Sequence, residues 1–148
     1  MEYNNEIIIE FNEENMTQYN KEYKEAHPRT KKDRITDPLC PLLNKFISMV
    51  RIMQHEQKVR YGEYCEWLLE KQKIPKLNLD NCEIEYKATF PTKTRRDLDG
   101  LSINSKTYND ILVEYGLLDD DSYFQLRRLI FSAEYQKGIR KIQIIVRY

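Results

Sequence analysis

Asp97 and Asp99 stand two apart in the run Arg95-Arg96-Asp97-Leu98-Asp99-Gly100, and a second acidic group, Asp119-Asp120-Asp121, follows one helix later. In an extended segment, residues two apart project to the same side, so this D-x-D pair would aim both carboxylates at one point. Two ionised carboxylates held that close repel each other unless a cation sits between them. Mg²⁺ or Mn²⁺ is the fitting cation, because both take hard oxygen ligands and leave positions for water and phosphate. Asp121, with Asp120 as its alternate, would supply the third carboxylate. Such a set can activate a water beside a phosphodiester and stabilise the leaving oxygen. Aspartates also cluster in loops to cap helices and form turns, so the pair by itself does not decide between the two.

The residues that follow add to it. Lys106, Asp110, Gly116, Leu117-Leu118 and Asp119-Asp120-Asp121-Ser122 come in a fixed order after the pair. This order resembles the RusA-type Holliday junction resolvases, endodeoxyribonucleases common on phages and prophages. Their pattern is R-x-D-x-D-N, a helix carrying a lysine and an aspartate, a glycine, a hydrophobic pair, and D-D before a small residue. Asp97, Asp99 and Asp121 take the places of the three catalytic aspartates, and Lys106 that of the catalytic lysine. Asp110 falls on the helix aspartate and Gly116 on the helix-ending glycine. The match covers roughly the last 60 residues and hardly touches the first 90. Three departures stand out: Gly100 replaces the asparagine, about three extra residues separate Asp99 from Lys106, and the proline-rich loop is missing in recognisable form.

The resemblance implies an α+β fold, one mixed sheet packed with helices, in a single domain spanning 1–148. It implies a Mg²⁺- or Mn²⁺-dependent nuclease of DNA recombination and repair. Such an enzyme resolves four-way junctions or related branched DNA by paired symmetric nicks and works as a homodimer. Asp97, Asp99 and Asp121 (or Asp120) would bind metal, and Lys106 would neutralise the transition-state phosphate. Lys93, Arg95 and Arg96 would grip flanking phosphates, though the arginines could equally balance the aspartates. Two other readings stay open: a catalytically weak or inactive relative that only binds DNA, and an acidic Ca²⁺-binding or interaction domain. The acidic group lacks the ligand spacing of a Ca²⁺ loop.

The elements that must position these residues can be read from periodicity. Glu6 to Phe11 is a β-branched run that reads as a central strand. Residues 12–36 are polar, with a short helix over Thr17 to Glu25. A basic cluster of Arg29, Lys31, Lys32 and Arg34 then reads as a mobile loop, or as an arm that orders against phosphates. Asp37 reads as the N-cap of the main core helix, which runs to Lys58 with Leu42, Leu43, Phe46, Ile47, Met49, Val50 and Met53 as its stripe. A second helix is expected over Tyr61 to Lys73, carrying Trp67 in the core. Cys82 to Phe90 alternates cleanly as a half-buried strand. Asn104 to Tyr115 reads as a helix ended by Gly116. Phe124 to Glu134 and Ile139 to Tyr148 read as a hairpin around Gly138.

Composition bounds the rest. The 148 residues carry a formal net charge of zero, so nothing global marks a nucleic-acid protein. The distribution is uneven: residues 1–26 hold seven acids and two bases, so a net of −5 there leaves +5 on the other 122. Cys40, Cys65 and Cys82 are widely spaced, and with only two histidines no zinc frame is formed. An odd cysteine count and no signal-peptide pattern point to the reducing cytoplasm. No apolar run is long enough to cross a membrane.

Overall fold

The computed structural model describes residues 2–148. It is an α+β fold in which one four-stranded mixed sheet is packed with helices. The sheet comprises β1 (Glu6–Phe11), β2 (Cys82–Phe90), β3 (Leu126–Tyr135) and β4 (Lys141–Arg147), in the order β1-β4-β2-β3. β4 runs antiparallel to both β1 and β2, whereas β3 is parallel to β2.

Three strand expectations change. β1 is an edge strand, and Ile8 is exposed on its outer face. β3 and β4 do not form a hairpin, because β2 lies between them. β2, expected half-buried, is instead buried along nearly its whole length on both faces, and it has a strand on each side. The link from β3 to β4 crosses the end of β2, where Gln136 N–H donates to the Phe90 carbonyl at 3.0 Å and Gly138 N–H to that of Pro91 at 3.4 Å.

The polar stretch over 12–36, expected as a short helix over 17–25 and then a mobile basic loop, is a longer helix followed by a fastened segment. Helix α1 (Glu13–Ala26) starts at a capping box: the Asn12 side chain accepts from Asn15 N–H at 2.9 Å, and the Asn15 side chain accepts from Asn12 N–H at 3.2 Å. Beyond it, buried Asn20 holds both backbone groups of Ile35, accepting from its N–H at 2.9 Å and donating to its carbonyl at 2.7 Å. Arg34 pairs with Glu63 at 3.2 Å and lies 5.0 Å from the Tyr23 ring centre. Lys24 pairs with Asp33 at 2.6 Å.

The expected helix over 37–58 is broken differently. Helix α2 (Leu43–Ser48) is short, Met49 and Val50 are extended, and α3 (Arg51–Lys71) continues through Tyr61 without interruption. Pro38 and Pro41 keep the preceding residues out of helical geometry. No glycine or proline stands between Lys58 and Tyr61 to stop α3. Asp37 is not an N-cap; it receives two hydrogen bonds from Arg140, at 2.8 and 2.7 Å. Ile47, Val50, Ile52 and Met53 are exposed, and the core is supplied instead by Tyr61, Tyr64, Cys65, Leu68 and Leu69 of the second half of α3. Trp67 is partly buried against Tyr19.

Helix α4 (Ile103–Tyr115) ends, as its sequence suggests, at Gly116 with φ 96°. It packs against α3 where Gly62 leaves room: a Cβ there would stand 3.1 Å from Ile111 Cδ1. Phe11, Tyr64 and Tyr108 meet at ring separations of 4.9–5.0 Å to close the core between sheet and helices. All three cysteines are free and buried.

Candidate functional site

Both acidic segments lie beside β3. Residues Leu98–Ser102 form a short 3-10 helix that packs against α2, α4 and β3. The acidic loop Asp119–Asp121 runs into the start of the same strand. Asp97 is extended, with φ −81° and ψ 131°, but Asp99 is already inside the 3-10 turn, which Gly100 N–H closes on the Asp97 carbonyl at 3.1 Å. The extended D-x-D expectation therefore fails, because a turn of three residues separates side chains two apart around its axis. A Cβ on Gly100 would meet Leu42 Cβ at 3.5 Å, an ordinary packing contact, so the turn does not depend on glycine there.

The three basic residues beside the pair behave differently. Arg95 is exposed and stands 3.8 Å from Asp97, a loose charge balance. Arg96 turns back on its own loop, donating to the carbonyls of Thr94 at 2.9 Å and Thr92 at 3.3 Å, and its guanidinium lies 4.2 Å from the Phe90 ring centre. Its bonds are spent on ordering the loop. Lys93 is exposed, with its ammonium 5.2 Å from the Tyr135 ring centre. In the earlier basic cluster, Arg29, Lys31 and Lys32 are exposed, while Arg34 is engaged with Glu63.

Asp121 has a perturbed carboxylate. Partial burial raises its pKa, and the charges of Asp110 and Asp120 raise it further. Asp120 also accepts a hydrogen bond from Asp121 N–H at 2.8 Å. Asp110, one turn beyond Lys106 on α4, is the helix aspartate of the sequence pattern, to which no metal role was given there. The spacing Lys106, Asp110, Glu114 at every fourth residue was the available signal, since it puts all three on one helix face. These three, with His55, Lys58 and Glu66 of α3, line a groove of about 420 Å³ between the two helices. Under Asp110, the Tyr86 hydroxyl donates to Asn109, and burial raises Tyr86 well above the ordinary tyrosine range.

Among the described residues, no three carboxylate, histidine or cysteine side chains stand close enough together to hold one ion. Asp97, Asp99 and Asp121 thus form no ready-made cage. Mg²⁺ does not require one: it is commonly held by one or two carboxylates, with water and substrate phosphate completing its shell. The crowding of Asp121 by Asp110 and Asp120 fits that kind of site, since a divalent cation relieves like-charge pressure.

No family model matches the chain, and no curated protein matches it in sequence. No helix among the described residues is long and apolar enough to cross a membrane.

Proposed function

We propose that the chain is a Mg²⁺- or Mn²⁺-dependent endodeoxyribonuclease of RusA type, acting as a homodimer on four-way junctions or related branched DNA. The observation that carries this reading is geometric: Lys106 and Asp110 share the face of α4 that lines the groove against α3, and Asp110 neighbours Asp121 of the acidic loop. Asp121 and Asp110 would hold the cation, with Asp120 as alternate. Asp97 and Asp99 would join from the other acidic segment against β3. When bound, the cation supplies a water of lowered pKa and positive charge at the phosphate.

The remaining work falls to the chain's own side chains. Lys106 offsets charge on the phosphate as bonds change. Lys93 and Arg95 hold flanking phosphates from the exposed loop, and Arg29, Lys31 and Lys32 hold a further stretch of backbone. Arg96 keeps the 92–96 loop in shape. The excess of positive charge after residue 26 supports the same reading.

The test compares wild type with Asp121→Asn, Asp110→Asn and Lys106→Ala on a labelled junction with Mg²⁺ or Mn²⁺. Nicking should fall by about 10²-fold or more, while melting and metal-free junction binding are retained. Undiminished nicking by Asp121→Asn would overturn the assignment.

A further inference from the structure

β3 is the last strand of the sheet: β2 pairs with its inner edge from Leu126 to Tyr135, and no strand lies beyond it. Among the described residues, no loop makes a backbone hydrogen bond to residues 127–135. A long edge strand presents a row of unpaired N–H and C=O groups, which proteins usually blunt with proline, a bulge or central charges. β3 bulges at Arg127, where the register with β2 skips one residue, but it has none of these over 128–135. Its sequence, Arg127-Arg128-Leu129-Ile130-Phe131-Ser132-Ala133-Glu134-Tyr135, keeps its charges at the two ends and its apolar residues in the middle. Arg127, Arg128, Leu129, Ala133, Glu134 and Tyr135 are exposed.

This order is complementary to itself. We propose that β3 pairs antiparallel with β3 of a second copy, about a two-fold axis through Phe131, giving a continuous eight-stranded sheet. In that register Arg128 faces the partner's Glu134, an ion pair made twice. Leu129 meets the partner's Ala133, and Ile130 the partner's Ser132. Within one chain the two charges are only loosely engaged: Arg128 stands 3.9 Å from Glu83, and Glu134 stands 3.7 Å from Lys87. The interface is isologous, as a closed dimer requires. It brings the acidic loop before β3 and the 3-10 turn packed on β3 into a two-fold arrangement, with one set from each copy. The pairing deepens the proposed function and rests on it for the need of two sites, but the measurement below uses no DNA, so either can fail alone.

Sedimentation of the full chain over a range of concentrations provides the test. Wild type should show twice the mass of the 18.0 kDa chain. Arg128→Glu or Glu134→Arg places like charges opposite each other twice and should weaken the dimer about tenfold or more. The double variant restores opposite charges and should recover most of that loss. Thermal melts check that each variant folds. Hydrogen exchange on wild type gives an independent readout: amides on the outer edge of 127–135 should be protected at high concentration and exposed on dilution. A monomeric wild type, unaffected single variants, a double variant no better than the singles, or edge amides indifferent to dilution would overturn the pairing.

Discussion

Arg147→Met removes the residue that ties the polar face of the sheet together. The Arg147 guanidinium donates to Glu85 at 2.7 Å, to Glu83 at 2.9 Å and to Glu6 at 3.2 Å. Glu83 and Glu85 keep only 10% and 15% of their side-chain surface in solvent. Removing one partner of a buried pair typically costs about 3–5 kcal/mol. Two neighbours soften that loss, Arg128 near Glu83 at 3.9 Å and the Ser132 hydroxyl on Glu85. We therefore expect about 2–4 kcal/mol by urea unfolding, and a melting point lower by roughly 5–15 °C. The loss should depend on pH. Burial raises the Glu85 carboxyl, but hydrogen bonds from Ser132 and Arg147 and the Arg147 charge outweigh burial and hold it below its ordinary 4.5. A lowered carboxyl contributes stability above its ordinary pKa and loses it as pH falls through the depressed value. The deficit of the variant should thus be full at neutral pH and shrink in acid below about pH 4. A loss under about 0.5 kcal/mol, or one equal at neutral and acid pH, would refute the reasoning.

Asp110→Asn should bring the Asp121 carboxyl down towards its ordinary 3.8, as followed by carbon NMR of the carboxyl. Mg²⁺ should do the same in wild type. Because the folded-state pKa of Asp121 is raised, its charge costs stability at neutral pH, so Asp121→Asn should melt no lower than wild type there and lose any advantage in acid. Asn20→Ala strands the buried backbone of Ile35 and should cost about 1–3 kcal/mol by denaturant unfolding; an unchanged midpoint would show that the 27–36 segment is held otherwise. Arg29, Lys31 and Lys32 changed together to Ala should flatten the salt dependence of DNA affinity, by roughly 0.9 in slope for each phosphate no longer neutralised. Arg34→Ala should act instead on stability, through Glu63.

Much of the architecture follows from local patterns. The bounds of β1 and β2 and the end of α4 at Gly116 match their sequence signals, because β-branched runs, strict alternation and a left-handed glycine are decided within a few residues. What failed depended on distant partners. Strand order could not be read from β3 and β4, since the turn at Gly138 looks the same whether the strands pair or straddle β2. The apolar run Ile47 to Met53 has helical spacing, but packing leaves much of it in solvent and gives the core role to residues from Tyr61 onward. Of the candidate site, Asp121, Lys106 and Asp110 were singled out by their order along the chain. Asp110 gains its role only because the acidic loop returns beside α4. The D-x-D pair was misjudged because Gly100 closes a 3-10 turn where an extended segment was expected.

Incubating the wild-type chain with a labelled four-way junction, a fork and a linear duplex, with and without Mg²⁺ or Mn²⁺, tests the central claim most directly. The account predicts metal-dependent nicks in opposed strands of the junction, symmetrically placed, with the linear duplex left intact. Tight junction binding without nicks in either metal would contradict it and leave a DNA-binding module in its place.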